Sequence, residues 1–165
     1  MVKTLLDMSE LQTVSRDETI AVDALVDEVL VDLEPLAQEK KIKLIGNCKD
    51  TTMVGSDILI YRMVYNLVEN AIKYNHFGGQ VTVTAYRKGK NICLSVEDTG
   101  SGIPAELKER IFEPFFRVDK SRSRQLGGVG LGLALVHEIV RVHDGRITVQ
   151  SSPSGGTIFE VVFTQ

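Results

Sequence analysis

Four polar side chains, Asn66, Asn70, Lys73 and Tyr74, recur at a spacing that a helix would place on one stripe. Asparagine disfavours helix interiors because its amide competes with the backbone for hydrogen bonds. Carboxamide oxygens are hard ligands that suit Mg²⁺, and a lysine ammonium suits phosphate. The stripe therefore indicates a site for a metal ion and a phosphorylated ligand, and the alternative at this point is a solvated polar face.

The sequence DTGSG at residues 98–102 directly follows a predicted strand. Glycines let the backbone approach a ligand closely, and the Asp98 carboxylate can accept a hydrogen bond from an exocyclic amine. A plain turn explains the same letters. The D-T-G triplet also occurs in aspartic proteases, where two carboxylates share a proton. That site needs a mostly β fold, whereas this chain has at least three strong helical segments.

The glycine-rich sequence GGVGLG at residues 127–132 leads into a predicted helix. It fits neither the Walker pattern, which needs G-K-[ST], nor the dinucleotide fingerprint, because no strand precedes it. Flexible glycines at a helix N-terminus expose N–H groups to an anion. A hinge without a ligand is the alternative, and four glycines in six residues favour the anion site.

The segment before these glycines carries Arg117, Lys120, Arg122 and Arg124 against one acid, Asp119. This is a local reversal of charge in a chain whose net charge is −3. The segment has no periodicity and is predicted to be a mobile loop. It either clamps a polyphosphate or is a solvated loop.

Composition limits the classes of protein that can carry these motifs. The chain has 165 residues, of which 43% are hydrophobic and 25% charged, as expected for one soluble globular domain. The net charge gives no reason to expect nucleic acid as a partner. No apolar run approaches a membrane span, and no signal peptide is visible. Two cysteines are too few for a disulfide framework and favour a reduced, cytosolic setting.

The polar stripe is positioned by a predicted helix over residues 58–75. Its core-facing residues recur at gaps of three and four: Ile60, Met63, Val64, Leu67, Val68, Ala71 and Ile72. An earlier helix is predicted from a cap at Asp23 to about Lys41, with a kink or break at Pro35. A short helix is predicted from Pro104 to Phe112, and a longer one from Leu131 to His143 that ends with Gly145 at C′.

Strands are predicted from alternation of apolar and polar residues. Short strands are expected at 19–22, 43–45 and 51–54, and hairpins at 81–86 with 92–96 and at 146–151 with 157–163. The mixture of helices with antiparallel hairpins predicts an α/β two-layer sandwich, in which a mixed, largely antiparallel sheet packs on helices.

Taken together, the motifs resemble those of the catalytic ATP-binding domain of bacterial sensor histidine kinases. NLVENAIKY (66–74) is similar to the N box of that family, DTGSGI (98–103) to its first glycine box, and IFEPFFR (111–117) to its F box. GGVGLGL (127–133) and SGGT (154–157) are similar to the later glycine boxes. The order and approximate spacing match over about residues 22–164. The resemblance implies the Bergerat ATP-binding fold, shared with DNA gyrase, mismatch-repair ATPases and a heat-shock chaperone.

The resemblance also implies a role for each matching residue. At the phosphate end, Asn70 would ligate Mg²⁺ with Asn66 supporting the metal or the phosphates, Lys73 would meet phosphate, and Arg117 would reach the γ-phosphate. Tyr74 would lie against the nucleotide. The residues that would bind adenine are Asp98, Gly100, Gly102, Ile103 and Thr157. The residues that would form a lid over the triphosphate are Gly128, Gly130, Leu131 and Gly132. Val129 stands where the family usually has threonine, which leaves any contact from that hydroxyl in doubt.

The catalytic residues implied by the resemblance are Asn66, Lys73 and Arg117. Relatives that hydrolyse ATP have a glutamate where this chain has Asn66, and an asparagine cannot activate water as a general base. The γ-phosphate is therefore expected to be kept for a protein acceptor, by positioning and charge neutralisation.

The acceptor histidine of that family is expected in an H-E/D-x-x-x-P context. The histidines here are His76, His137 and His143. His137 is followed by Glu138, but no proline follows at the required offset. All three are predicted to be ordinary surface or helix-end residues, so the chain is expected to donate phosphate only to a separate histidine domain.

Leu5, Met8 and Leu11 recur at spacings of three and look like the end of a longer amphipathic helix. The resemblance implies that residues 1–15 are the remnant of the second dimerisation-domain helix plus a linker, and that residues 16–165 are the ATP-binding domain. Expected partners are ATP, the histidine-bearing dimerisation domain of the same parent and a cognate response regulator.

The chain alone is expected to be a monomer and the parent a homodimer, with this domain in the cytoplasm and the parent a membrane-anchored sensor. The alternative function is a non-catalytic nucleotide-sensing module in which ATP closes residues 117–128 as a switch. A homodimeric aspartic protease is the third choice.

Overall fold

The computed structural model describes residues 11–113 and 132–165, in which three helices and seven strands are formed. Short 3-10 turns lie at Leu11–Thr13 and Ala105–Leu107. In chain order the elements are β1 (Glu18–Ala21), α1 (Val22–Glu39), β2 (Lys43–Cys48), β3 (Thr52–Gly55), α2 (Asp57–Lys73), β4 (Gln80–Lys88), β5 (Asn91–Asp98), α3 (Gly132–Val142), β6 (Arg146–Ser151) and β7 (Thr157–Thr164).

Five of the strands form one sheet in the order β2-β4-β5-β7-β6. β2 and β4 run parallel, and the other neighbouring strands run antiparallel. β1 and β3 form a separate antiparallel pair. The two predicted hairpins, β4–β5 and β6–β7, are confirmed, and so is the α/β two-layer sandwich with a mixed, largely antiparallel sheet.

The core lies between the sheet and the helices. Alternate residues of the central strands are buried, and the register places Val83 opposite Val96 and Val96 opposite Phe159. α2 packs on β4 and β5 and also contacts both α1 and α3. The helix that carries the polar stripe is therefore the central helix of its layer.

α2 forms where the sequence places its signals. Ser56 is its N-cap and its hydroxyl accepts a hydrogen bond from the Leu59 N–H at 3.4 Å. Asp57 in the first turn and Lys73 in the last turn suit the helix dipole. All seven predicted core-facing residues are buried. The helix ends at Lys73, so Tyr74 is its C-cap rather than a helical residue.

A kink or a break was predicted at Pro35, and the break is wrong, because α1 is continuous from Val22 to Glu39. Proline has no N–H to donate to the carbonyl of Val31, one turn earlier. The side chains of Pro35 and Val31 are both exposed, so this carbonyl lies on the solvent side of the helix. The buried residues Leu33 and Ala37 continue on the other side of the helix. The predicted cap at Asp23 is also wrong, because Ala21 is the N-cap and no side chain caps this end.

Two further boundaries differ from the prediction. Residues 104–113 form successive i to i+3 turns rather than an α-helix, as in the bonds from Leu107 N to Pro104 O and from Arg110 N to Leu107 O. At the end of α3 the left-handed C′ residue is Asp144 (φ 56°), one residue before the predicted Gly145. Gly145 is instead pressed against β7, where a Cβ would lie 2.7 Å from the Phe163 ring.

Candidate nucleotide-binding site

The phosphate end of the predicted site lies on the second half of α2. Asn66, Asn70 and Lys73 are all half-buried, and among the described residues neither asparagine side chain has a hydrogen-bond partner. The Lys73 ammonium lies 3.9 Å from the Glu69 carboxylate, one turn earlier. A solvated pair of this kind contributes little stability, so the ammonium can exchange it for a phosphate. The structure thus brings two amides and one cation together on one helical face.

The predicted adenine end of the site is Asp98, which occupies the last position of β5. The alternation of Ile92, Leu94 and Val96, all buried, places the Asp98 side chain on the helix-facing side of the sheet, where it is 9% exposed. Its Oδ1 accepts hydrogen bonds from Gly100 N at 2.8 Å and from Thr157 N at 3.2 Å. No described donor bonds to Oδ2, which leaves that oxygen available to an amine.

Burial is the largest influence on the Asp98 carboxyl, and it raises the pKa of this group. The hydrogen bonds from Gly100 and Thr157 act in the opposite direction and lower the pKa. A carboxylate held in this way offers a fixed acceptor for a hydrogen bond from a neutral ligand.

Glycines allow three chain segments to meet around Asp98. A Cβ on Gly156 would lie 2.0 Å from the Asp98 carbonyl oxygen, so β7 could not approach β5 as it does with any other residue there. Gly102 has φ +78°, and a Cβ on it would lie 2.7 Å from the Gly155 carbonyl oxygen. The predicted SGGT motif therefore acts through Gly156 as well as through Thr157, which is 4% exposed.

Of the other predicted site residues, Tyr74 and Ile103 are half-buried, and Gly132 is the exposed first residue of α3. Ile103 packs against the core cluster. The remaining ones, Arg117, Gly128, Gly130 and Leu131, lie outside the described residues, as do Val129 and the whole of the predicted basic loop.

Sequence reasoning missed two residues that support the predicted site, Asn75 and Lys40. The Asn75 side chain is 1% exposed and bonds to Gln80, His76 and Thr99. The Lys40 ammonium donates to the carbonyls of Ile72, Lys73 and Asn75 at 3.2, 2.9 and 2.8 Å. The available signal for Asn75 was an asparagine directly after the C-cap residue Tyr74; no local signal marked Lys40.

The three histidines differ in their surroundings. His76 and His137 are exposed, and the His137 ring lies 5.4 Å from that of Phe112. His143 is half-buried at the end of α3 and has hydrogen-bond partners on both ring nitrogens, Ser56 N and Ile139 O.

Within the described ranges there is no cluster of three His, Cys, Asp or Glu side chains that could hold a metal ion. A metal bound here would need amide oxygens together with oxygens of a ligand. Over the same ranges, no helix has both the length and the apolar content required to cross a membrane.

The sequence and fold were compared with known proteins. A family model described as "Histidine kinase-, DNA gyrase B-, and HSP90-like ATPase" matches residues 55–165. The sensor-like histidine kinase SenX3 of Mycobacterium tuberculosis is 39% identical over 163 residues, which cover 96% of this chain and 40% of SenX3. The chain thus spans about two fifths of the length of that relative.

Two solved structures extend the comparison. The nucleotide-free catalytic domain of histidine kinase ThkA has a TM-score of 0.81 at 27% identity, covering 91% of this chain and 96% of that chain. ThkA in complex with the response regulator protein TrrA has a TM-score of 0.76 at 26% identity, covering 90% of this chain and 41% of that chain.

Proposed function

The chain belongs to the family of histidine kinase-, DNA gyrase B- and HSP90-like ATPases, and from this membership we propose that it binds ATP with Mg²⁺ and donates the γ-phosphate to a histidine on a separate domain. The observation that carries the proposal is the pairing of two half-sites. Asp98 offers a carboxylate oxygen on one side, and Asn66, Asn70 and Lys73 offer two amides and a cation on the other.

At the base end, Oδ2 of Asp98 would accept a hydrogen bond from the exocyclic amine of adenine, while Oδ1 keeps its two backbone bonds. Gly100, Gly102, Ile103 and Thr157 would shape the surrounding pocket. A buried acceptor of this kind discriminates strongly, because a purine without that amine leaves a carboxylate unpaired.

At the phosphate end, Asn70 would hold Mg²⁺ with Asn66 in support, and Lys73 and Arg117 would bind phosphate oxygens. The donor set fits a hard cation, since both amides are half-buried and have no hydrogen-bond partner among the described residues. The ion, when bound, neutralises phosphate charge. Gly128, Gly130, Leu131 and Gly132 would form the lid.

Asn66 decides what happens to the γ-phosphate. Its amide cannot take a proton from water, so the site positions the phosphate for a nucleophile that comes from elsewhere. That nucleophile would be the histidine of the parent's dimerisation domain, for which residues 1–15 would be the last helix and linker. Leu11, within this segment, is buried in the core, so the linker would contact the domain at this residue.

The parent would be a homodimeric, membrane-anchored sensor with this domain in the cytoplasm, where ATP is available. The phosphohistidine would then serve a response regulator, which is consistent with the complex of ThkA and TrrA. The isolated chain would be a monomer.

Nucleotide binding is tested by titrating the chain with AMP-PNP at increasing Mg²⁺ concentrations. Asn70→Asp adds a charge at the metal and should lower the Mg²⁺ concentration at half-maximal binding several-fold. Asn47→Asp makes the same change at an exposed position of β2 and should have no effect. Identical Mg²⁺ curves for wild type and Asn70→Asp would contradict the metal role.

Phosphate transfer is tested by mixing the chain and γ-labelled ATP with the separately expressed dimerisation domain of the parent. Acid-labile label should appear on that domain and none on the chain alone. Label on a histidine of the isolated chain would show that the acceptor is not separate.

A further inference from the structure

The base half-site and the phosphate half-site lie on different elements. Asp98 ends β5, whereas Asn66, Asn70 and Lys73 belong to α2, and the chain between α2 and β4 is a short loop. A ligand that spans both half-sites gains from each of them only when their separation is fixed in advance. The contacts that set this separation are therefore part of the binding machinery.

Asn75 and Thr99 connect the two elements directly. Thr99 is the residue after Asp98, and Asn75 lies two residues after Lys73. The Thr99 hydroxyl donates to Asn75 Oδ1 at 3.1 Å, and it accepts a hydrogen bond from Gln80 N at 3.0 Å. The Asn75 amide in turn donates from Nδ2 to Gln80 O at 3.0 Å. The hydroxyl thus extends the β4–β5 ladder by one step and joins it to the end of α2.

The cross-link is tightly packed: Asn75 is buried and Thr99 is half-buried. Asn75 Oδ1 also accepts from His76 N at 2.8 Å, and both polar groups of its amide are therefore bonded. A Cβ on Gly79 would lie 2.3 Å from Asn75 Oδ1 and 2.8 Å from Thr99 Oγ1, so the neighbouring loop closes over the pair only because it has a glycine there. Because the polar groups of the Asn75 amide are all bonded and closely packed, this side chain has a single low-energy arrangement.

We propose that Asn75 and Thr99 are positioning residues that hold the adenine-binding carboxylate at a fixed distance from the metal- and phosphate-binding face of α2. The inference rests on the proposed function. Neither side chain is expected to touch the nucleotide. Their contribution is to the coupling between the two half-sites, and it is absent for a ligand that occupies only one of them.

The test compares three probes: adenosine for the base half-site, magnesium tripolyphosphate for the phosphate half-site, and Mg-AMP-PNP for both. Dissociation constants are measured by NMR shift titration for the two half-ligands and by calorimetry for AMP-PNP. In Thr99→Val, AMP-PNP affinity should fall about tenfold, while each half-ligand should change less than about twofold. Thr99→Ser keeps the hydroxyl and should restore AMP-PNP binding.

Thr84→Val is the matched control, because Thr84 lies within β4 opposite Ser95 and makes no described contact with the site. Asn75→Ser is the second variant, since a serine hydroxyl is too short to reach Thr99, and it should give the same pattern. The proposal is overturned if AMP-PNP binds both variants as it binds wild type, if all three probes weaken equally, or if neither variant folds. Failure of wild type to bind AMP-PNP would instead reject the proposed function itself.

Discussion

Asp98 and Thr157 lie at the ends of neighbouring strands, and the backbone N–H of Thr157 donates to Oδ1 of Asp98 at 3.2 Å. The bond joins the residue that ends β5 to the residue that begins β7. It fixes one oxygen of the carboxylate without using the other. The same contact therefore stabilises the sheet and leaves the second oxygen for the proposed bond to adenine.

Asp98→Asn separates these two functions. The asparagine Oδ1 can accept the same two backbone hydrogen bonds, but its NH₂ group would face the exocyclic amine of adenine. AMP-PNP affinity should fall by about 10- to 100-fold, the range for a lost hydrogen bond to a charged group. Calorimetric titration measures the affinity. Glu97→Gln is the control, because the glutamine carbonyl oxygen can still accept the hydrogen bond that the Ser152 hydroxyl donates to Glu97.

The same substitution should leave thermal stability at pH 8 unchanged or higher. The pKa of Asp98 is raised by burial, so its ionised form disfavours the fold. The stability linked to this group is present below the unfolded pKa and is lost as pH rises through the folded pKa. A melting temperature for Asp98→Asn well below that of wild type would contradict this account.

Gly156→Ala tests the close approach of β7 to β5. Its Cβ would lie 2.0 Å from the Asp98 carbonyl oxygen, which cannot move without moving the strand, and 2.7 Å from the side-chain oxygen Oδ1 of Asp98. We expect a loss of about 1–3 kcal/mol in the free energy of unfolding, together with weaker AMP-PNP binding. Urea unfolding measures the loss. Gly132→Ala, where a Cβ meets nothing within 4 Å, should not destabilise the fold.

Lys40→Met tests the support of α2 from α1. The Lys40 ammonium donates to three carbonyls at the end of α2, where the helix dipole also favours a cation. Its loss should cost about 1–3 kcal/mol of stability and weaken AMP-PNP binding, because Asn70 and Lys73 lie on the last turns. Lys41→Met is the matched control, since Lys41 is exposed and its ammonium lies 5.8 Å from the Phe77 ring centroid. Equal losses in the two variants would contradict the role of Lys40.

The parts of the site that the sequence predicted are those governed by short-range pattern. Helical periodicity placed Asn66 and Asn70 on one face, and the alternation that ends in Val96 placed Asp98 toward the helices. Contacts between distant segments had no such signal. Thr99 and Asn75 are 24 residues apart in the chain and Lys40 and Asn75 are 35 apart, so only the packing of whole elements brings them together. The parallel pairing of β2 with β4 was missed for the same reason. The prediction at Pro35 failed because a helix tolerates an internal proline on its exposed side, and the sequence did not show which side of α1 is exposed.

His143 is predicted to make stability depend on pH. Its Nδ1–H donates to Ile139 O at 2.8 Å and its Nε2 accepts from Ser56 N at 3.0 Å, an arrangement that requires the neutral ring. Protonation would set an N–H against the Ser56 N–H at the start of α2. Burial is the largest cause that lowers the pKa of His143, and Arg16 lowers it further, while the Ile139 bond and Asp144 raise it.

Because the folded pKa is below the unfolded value, the unfolded chain binds more protons at acidic pH. The stabilisation from His143 is therefore complete above an unfolded pKa of about 6.5 and is lost as pH falls through the folded pKa. Urea unfolding from pH 8 to pH 5 should show the free energy of unfolding falling in wild type. In His143→Gln, which cannot titrate, the fall should be smaller and the plateau lower by about 1–2 kcal/mol. His76→Gln changes an exposed ring and should follow the wild-type curve. A His143→Gln curve parallel to wild type over this range would show that the buried ring does not control acid stability.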